Sequence, residues 1–241
     1  GLNSPRFINI TGDASLRKRD MVRIIEPLKK FGAQFKKNSG TLPLSIKGSN
    51  LQKPINFYEN LGSAQVKSVI LISALLSSSK VTRLRCRPSR THTELLFKYL
   101  KIPIKIKKSK KFDYIEIRGK KNFKGFNYII PGDISSASFL IVLALLSKNS
   151  KLTIKNININ PSRTGIIKIL NKMGADIKLK NKKIYKGEPT ADIFVKSINN
   201  LKAINLSKNF NNSTAIDEFN LIFLCAAFAK GVSSFKGLLE L

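Results

Sequence analysis

The sequence predicts an α+β chain built from repeated βαβαββ units of about 70 residues, each with one buried and one surface helix. Two interleaved repeats and a set of strand-like stretches indicate this class. The first repeat is Leu-Lys-Lys-Phe-Gly-Ala-Gln-Phe-Lys at 28–36, which recurs as Leu-Asn-Lys-Met-Gly-Ala-Asp-Ile-Lys at 170–178. A related segment without the glycine lies between them at 96–105.

An amphipathic helix is predicted before each glycine of the first repeat, because the apolar residues fall on one helical face. These residues are Met21, Ile24, Ile25, Leu28 and Phe31 in one copy, and Ile166, Ile167, Leu170 and Met173 in the other. Gly32 and Gly174 suit the left-handed residue that ends such a helix, and a short strand is expected to follow. Pro27 is expected to kink the first helix or to weaken it.

The second repeat consists of three helix-length segments that are apolar nearly all round and polar only in their opening turn. They cover residues 63–76, 135–146 and 217–229. A helix of this kind is expected to be buried along its length and to present only its N-terminus to a cleft.

Strand-like stretches fill the gaps between the helices. They lie at 7–10, 42–46, 80–84, 112–117, 151–157 and 191–195. The turn signal Ile-Pro-Gly-Asp at 130–133 is the best candidate for a domain boundary. We therefore expect two domains, one in residues 1–131 and one in residues 132–241. The basic run at 105–111 is typical of a solvated hairpin.

The chain has 241 residues, of which 42% are apolar, enough for a substantial core. Its 44 Lys and Arg against 14 Asp and Glu give a net charge of +30, which favours anionic partners. Much of the charge is also what A+T-rich coding would produce, because Lys, Ile and Asn dominate. Two cysteines and one histidine cannot build a disulfide framework or a tetrahedral zinc site, and no apolar run is long enough to span a bilayer. These features indicate an intracellular protein.

The polar first turns of the three apolar helices are candidates for an anion site, because unpaired N–H groups and the helix dipole both favour negative charge there. Ser63, Gln65, Ser135 and Ser136 would add neutral donors. Ordinary N-capping by the serines is the alternative interpretation.

Residues 12–19 (Gly-Asp-Ala-Ser-Leu-Arg-Lys-Arg) follow a strand and open a helix, with Asp13 or Ser15 as the cap. Arg17, Lys18 and Arg19 would then stand near the positive helix end, which makes sense if an anion binds there. A solvated basic turn explains them equally well.

Ser89 and Arg90 close another strand and could bind an oxyanion, because the arginine fork grips carboxylate or phosphate with two hydrogen bonds. His92 follows and is more often structural than catalytic when it stands alone. Asp217 and Glu218 form an acidic pair at the start of an apolar helix. Either carboxylate could accept a proton from a substrate hydroxyl or could simply cap the helix.

Seven motifs in order resemble the 5-enolpyruvylshikimate-3-phosphate synthase family, the enolpyruvyl transferases of the shikimate pathway. They lie at 11–21, 62–68 (Gly-Ser-Ala-Gln-Val-Lys-Ser), 89–94 (Ser-Arg-Thr-His-Thr-Glu), 131–137, 163–165 with 173–175, 187–192 and 216–218. The resemblance implies a two-domain fold of six βαβαββ units, an inside-out α/β barrel with buried helices and sheets outside. It also implies helix N-termini aimed at an interdomain cleft.

The resemblance implies a cytoplasmic monomer without cofactor or metal, whose partners are shikimate 3-phosphate and phosphoenolpyruvate rather than nucleic acid or membrane. The 5-hydroxyl of shikimate 3-phosphate would add to C2 of phosphoenolpyruvate as C3 is protonated, and phosphate would then leave. The reaction belongs to chorismate and aromatic amino-acid biosynthesis.

The resemblance also implies roles for single residues, wherever this sequence matches a motif of the family. The residues that would bind shikimate 3-phosphate are Ser63, Ala64, Gln65, Ser89 and Arg90. Arg19 would pair with phosphoenolpyruvate. Asp217 would hold the shikimate hydroxyls and take the 5-hydroxyl proton, whereas Asp13 and Asp133 are expected to be structural. The first domain, 1–131, would be the shikimate-phosphate-binding one.

Two family segments are expected outside this sequence: Lys-Ser-x-x-x-Arg before Gly1 and Lys-Glu-Ser-Asp-Arg after Leu241. We therefore interpret the sequence as an internal fragment, truncated in both domains, and expect it not to turn over alone. The alternatives are a UDP-N-acetylglucosamine enolpyruvyl transferase, which would need a reactive cysteine in a mobile loop, a basic nucleic-acid-binding protein, or a non-catalytic relative.

Overall fold

The computed structural model describes residues 2–36, 40–49, 53–77, 80–119, 124–207 and 210–238. Gly1 and Leu241, which the sequence analysis takes as cut ends, lie outside these ranges. The chain divides into two compact units: Gly1–Ser89 with Thr93–Phe126, and Arg90–His92 with Asn127–Leu241. The domain boundary between residues 131 and 132 stays a prediction.

The first unit begins with two strands and two helices, continues through a short strand and ends in a regular βαβαββ stretch. Its elements are β1 (Ile8–Ile10), α1 (Ala14–Arg17), α2 (Val22–Lys30), β2 (Gln34–Phe35), β3 (Leu44–Lys47), β4 (Asn56–Glu59), α3 (Ala64–Ala74), β5 (Val81–Cys86), α4 (His92–Tyr99), β6 (Ile104–Lys107) and β7 (Asp113–Arg118).

The second unit follows the same pattern with a longer first helix. Its elements are α5 (Ile134–Leu146), β8 (Lys151–Asn158), α6 (Gly165–Lys172), β9 (Asp176–Tyr185), β10 (Glu188–Lys196), β11 (Asn205–Leu206), two 3-10 turns (Asn212–Thr214 and Ile216–Glu218), α7 (Phe219–Ala227) and β12 (Ser234–Phe235).

The sheets confirm the predicted repeat. In the first unit the strand order is β4-β5-β7-β6, in which β4 and β5 are parallel and the other pairs antiparallel. In the second unit β8-β10-β9 repeats the antiparallel part, and a parallel bridge from Gly132 to Ile157 stands where the first strand of the unit would pair. The basic run at 105–111 covers most of β6 and the turn that joins it to β7, its antiparallel partner, as the predicted hairpin requires.

The signals that end the amphipathic helices also act as predicted. Gly32 follows α2 with a φ of 103°, and Gly174 follows α6 with a φ of 93°. A left-handed residue at this place satisfies the last helical carbonyls, and a residue with a Cβ would be strained there. Pro27 lies inside α2, which nevertheless runs on to Lys30.

The apolar helices α3 and α5 pack against the sheets of their own units, α7 packs against α5 and α6, and all three contribute to the two main cores. Each helix buries the face that packs on its neighbours, and some apolar side chains on the remaining helix surface are exposed within the described residues. The exposed apolar side chains are Ile72, Phe139, Leu140, Leu143, Phe223 and Leu224. No helix among the described residues meets the length and hydropathy of a membrane span.

Candidate functional site

The turn before α3 is organised by a carboxylate that the sequence analysis did not single out. Glu59, buried at the end of β4, accepts hydrogen bonds from the backbone N–H groups of Leu61 (2.8 Å), Gly62 (2.9 Å) and Ser63 (3.1 Å). Ser63 then caps α3, because its Oγ accepts from the N–H of Val66 at 3.3 Å. The capping role of Ser63 is thus confirmed, and its role as a ligand stays a prediction.

Gln65, exposed in the first turn of α3, has a cationic neighbour that sequence reasoning missed. Arg23 on α2 donates from Nη2 to Gln65 Oε1 at 2.9 Å. The pairing leaves the Gln65 amide NH2 as a donor and places a guanidinium beside it. Ala64 lies next to Gln65 and is half-buried. Ser63 takes the N–H of Val66, and the N–H groups of Ala64 and Gln65 at the start of the helix face no helical carbonyl, an arrangement that favours an anion.

The basic segment that ends in Arg19 is arranged differently from the prediction. Asp13 caps α1, accepting from the N–H of Leu16 at 2.8 Å, but α1 ends after four residues at Arg17. The cations therefore stand at the C-terminal end of α1, where the dipole favours them, and not at its positive end. A second helix, α2, starts only at Val22. Arg19 itself is exposed, between the two helices.

Ser89 belongs to the first unit and carries a buried hydroxyl. Its Oγ has no hydrogen-bond partner among the described residues. Its carbonyl oxygen accepts from Lys67 Nζ at 3.4 Å. A buried hydroxyl without a protein partner is uncommon, which makes Ser89 a candidate for ligand binding.

In the second unit the N-terminal ends of α5 and α7 come together, as the sequence predicts for the apolar helices. Arg90 forms an ion pair with Asp217, in the 3-10 turn before α7. Arg163 donates to Asp133 Oδ1 at 2.9 Å and lies 3.9 Å from Asp217 Oδ2. Ser135 contacts both Arg163 and the neighbouring carboxylate, Glu218. This convergence places two guanidinium groups beside three carboxylates, and Asp217 is the carboxylate that contacts both cations.

Asp133, and not Ser135, caps α5: it accepts from the N–H of Ser136 at 3.0 Å. Burial tends to raise the pKa of Asp133, but the Ser136 hydrogen bonds and the charge of Arg163 outweigh it and hold the pKa below its ordinary value. The structural role expected for Asp133 is confirmed. Ser135 is free of capping and donates to Glu218.

Glu218 is the most deeply buried carboxyl of this cluster. Burial raises its pKa above the ordinary value, the nearby charge of Asp217 adds to the rise, and the Ser135 hydrogen bond and Arg163 partly offset it. A raised carboxyl pKa beside an exposed carboxylate is typical of an acid and base pair. Neither residue caps α7 through its side chain.

His92 is held by Glu188, a buried residue of β10. The two side chains approach to 2.7 Å, and Glu188 also accepts from Asn158 (2.9 Å) and Asn160 (3.3 Å). Burial would raise the pKa of Glu188, but the hydrogen bonds from His92 and the two asparagines lower it overall. Asn160 further contacts Thr91. This network fits the structural interpretation of His92 and anchors the neighbours of Arg90.

The two cysteines lie in apolar cores. Burial raises the pKa of Cys86 to about 12 and that of Cys225 to about 11, so both thiols stay protonated near neutral pH. Neither is the exposed, low-pKa thiol expected of the aminosugar transferase. Among the described residues, no group of three or more His, Cys, Asp or Glu side chains could hold a metal ion.

Comparison with known proteins covers nearly the whole chain. The family model of EPSP synthase (3-phosphoshikimate 1-carboxyvinyltransferase) matches residues 2–241. The 3-phosphoshikimate 1-carboxyvinyltransferase of Petrotoga mobilis is 43% identical over 235 residues, which are 96% of this chain and 53% of that protein. The protein of the same name from Crocosphaera subtropica is 40% identical over 98% of this chain and 52% of its own length.

Solved structures agree with these relatives. EPSP synthase from Acinetobacter baumannii superposes with a TM-score of 0.84 at 37% identity, over 100% of this chain and 54% of that one. The enolpyruvyl transferase NikO from Streptomyces tendae shares the fold, with a TM-score of 0.68 at 12% identity over 93% of this chain and 51% of that one. The chain spans about half the length of the curated relatives it matches. From the family model and the identity to these relatives, the chain belongs to the EPSP synthase family.

Proposed function

We propose that this chain supplies part of the substrate-binding surface of an enzyme that transfers the enolpyruvyl group of phosphoenolpyruvate to the 5-hydroxyl of shikimate 3-phosphate. The family match from residue 2 to residue 241 carries the proposal. The polar helix ends support it, because both substrates are anions and the chain carries a net charge of +30.

In the first unit, Ser63, Ala64 and Gln65 bind shikimate 3-phosphate through the first turn of α3. Ser89 offers its buried, unpartnered hydroxyl to the same ligand. Arg19 pairs with phosphoenolpyruvate, for which its exposed guanidinium is suited.

In the second unit, Arg90 binds the shikimate ligand and Asp217 takes the proton of its 5-hydroxyl. The two side chains are paired and only about one third and one half exposed, at 34% and 49%. A phosphate oxyanion competes with Asp217 for the Arg90 guanidinium, so ligand binding releases a carboxylate that can act as a base. The released carboxylate then removes the proton as the 5-hydroxyl oxygen bonds to C2 of phosphoenolpyruvate and C3 gains a proton. In the second step C3 loses a proton as the bond from C2 to the phosphate oxygen breaks, which restores the double bond and releases phosphate.

The wider setting is carried over from the family resemblance. We place the enzyme in the cytoplasm, as a monomer that requires no cofactor, with the two small anions as its partners and without nucleic acid or membrane. The positive charge then serves substrate capture, although A+T-rich coding explains part of it.

Binding by this chain is the test, since the sequence spans about half the length of its relatives. Calorimetric titration with shikimate 3-phosphate is expected to give saturable one-site binding that inorganic phosphate, shikimate and UDP-N-acetylglucosamine do not match. Arg90→Ala is expected to weaken it about tenfold or more, whereas Arg118→Ala, at the exposed end of β7, leaves it unchanged.

Charge alone could attract any anion to this chain, so the titration is repeated at higher salt, which screens exposed charges. Retained preference for shikimate 3-phosphate over inorganic phosphate supports the proposal. Equal affinity for the two anions, or tighter binding of the UDP-aminosugar, contradicts it.

A further inference from the structure

Lys67 and Glu94 form an ion pair inside the first unit. Lys67 Nζ lies 2.7 Å from Glu94 Oε1, and the side chains are 0% and 4% exposed. Lys67 stands near the start of α3 and Glu94 in the first turn of α4. The second carboxylate oxygen, Glu94 Oε2, is buried without a hydrogen-bond partner among the described residues. The pair is therefore closed off from water but incompletely hydrogen-bonded.

Stability alone does not account for such a pair. Removing two charges from water costs about as much free energy as their attraction returns, and two apolar side chains of similar volume often serve the fold as well. An imperfectly satisfied carboxylate makes the balance worse. A role of the Lys67 ammonium group besides neutralising Glu94 would account for the pair.

The Lys67 ammonium also donates to the carbonyl oxygen of Ser89 at 3.4 Å. The next residue of α3, Ser68, shares a hydrogen bond of 2.8 Å with Thr93 through the two hydroxyls. Two consecutive residues of α3 thus hold both ends of the segment from Ser89 to Glu94. The Ser89 hydroxyl belongs to the residue whose carbonyl is held, and within the described part of the chain it is buried without a hydrogen-bond partner.

We propose that Lys67 and Glu94 are positioning residues that hold Ser89 in place for the substrate phosphate. This inference rests on the proposed function, in which Ser89 binds shikimate 3-phosphate. It divides the motif at 62–68 into two parts: Ser63 and Gln65 face the ligand, and Lys67 fixes the second binding segment. The motifs at 62–68 and 89–94 then act together in binding. This role accounts for a buried charge pair at a place where two apolar side chains would also allow the chain to fold.

The double variant Lys67→Met/Glu94→Leu tests the proposal, because it removes both charges and leaves neither unpaired. Three quantities are measured on the 241-residue chain: the urea midpoint of unfolding, the affinity for shikimate 3-phosphate, and the hydrogen–deuterium exchange of the amides at 89–93. We expect a midpoint close to that of the unchanged chain, affinity about tenfold weaker, and exchange about tenfold faster.

The matched control is Arg83→Met/Glu116→Leu, which removes an exposed ion pair of the same unit and is expected to leave all three quantities unchanged. If the double variant does not fold, Lys67→Leu/Glu94→Met replaces it: this variant also leaves no charge unpaired and exchanges the two side-chain sizes, and we expect the same loss of affinity and faster exchange. A folded variant with unchanged affinity and unchanged exchange overturns the proposal.

Failure of the proposed function is distinguishable from failure of this inference. If the unchanged chain does not bind shikimate 3-phosphate, the proposed function is wrong, and the exchange measurement still decides whether Lys67 and Glu94 fix Ser89. If the chain binds the ligand and the double variant binds it equally well, the proposed function stands and the positioning role is wrong.

Discussion

The ion pairs Lys67–Glu94 and Arg90–Asp217 join the same kinds of charge in opposite surroundings. The first pair is 0% and 4% exposed, and the second is 34% and 49% exposed. Water and mobile anions reach the second pair but not the first. A buried pair can therefore hold neighbouring groups in place, whereas a half-exposed pair can exchange its partner for a ligand.

The largest expected effect comes from breaking the buried pair on one side. Glu94→Leu leaves the Lys67 ammonium buried without a counter-charge, so we expect the free energy of unfolding to fall by about 3–5 kcal/mol. Urea denaturation followed by circular dichroism measures it. Adding Lys67→Met should restore most of the loss, and a single variant less than about 1 kcal/mol below the unchanged chain would show that the pair is not desolvated as the structure indicates.

The stability contributions of two buried carboxyl groups in the second unit are expected to depend on pH in opposite directions. The pKa of Glu188 is lowered from its ordinary value of 4.5, so its stabilising contribution is complete above pH 4.5 and is lost as the pH falls through the lowered pKa. The pKa of Glu218 is raised, so its contribution is complete below pH 4.5 and is lost as the pH rises through the raised pKa.

Replacing each carboxyl by an amide should therefore act in opposite directions. At pH 7, Glu188→Gln is expected to cost about 1–3 kcal/mol, because charged hydrogen bonds to His92 and the asparagines are lost, and the stability loss in acid should become shallower. Glu218→Gln is expected to be neutral or stabilising at pH 7. Urea midpoints from pH 3 to pH 8 measure both, and parallel pH profiles for the two variants would contradict the assignment.

The half-exposed pair is expected to matter for binding and little for stability. Arg90→Ala should change the free energy of unfolding by less than about 1 kcal/mol, because solvent screens a pair of this exposure. The affinity for shikimate 3-phosphate should nevertheless fall about tenfold or more. Unfolding and calorimetry on the same preparation separate the two effects. A large stability loss with unchanged affinity would reverse the roles assigned to the two pairs.

The smallest effect is expected for the exposed pair on the sheet of the first unit. Arg83 Nε lies 2.8 Å from Glu116 Oε1, with side chains 61% and 44% exposed. Arg83→Ala should alter the free energy of unfolding by no more than about 0.5 kcal/mol, and added salt should remove the difference. A loss as large as that expected for Glu94→Leu would break the link between burial and effect.

Local signals explain most of what the sequence predicts correctly. Gly32 and Gly174 end their helices, and Asp13 caps α1, because these conformations depend on residues within one turn. The βαβαββ repeat follows from apolar periodicity, which is also local. The cap of α5 was missed, since Asp133 and Ser135 are both good capping residues and only the backbone decides between them.

The contacts that organise the candidate site join residues distant in the sequence. Gln65 meets Arg23 across 42 positions, and Glu188 meets His92 across 96. No spacing rule links such residues.

The sequence by itself determined the α+β class, the repeat and the family, because helix periodicity, glycine signals and motif order are properties of the chain read in one dimension. Which charges are buried is visible only in the folded structure. Lys67 and Arg90 are both cations near a motif serine, and the sequence does not distinguish them. Packing excludes water from Lys67 and leaves Arg90 partly exposed, and the free energy of a charged side chain depends on its access to water.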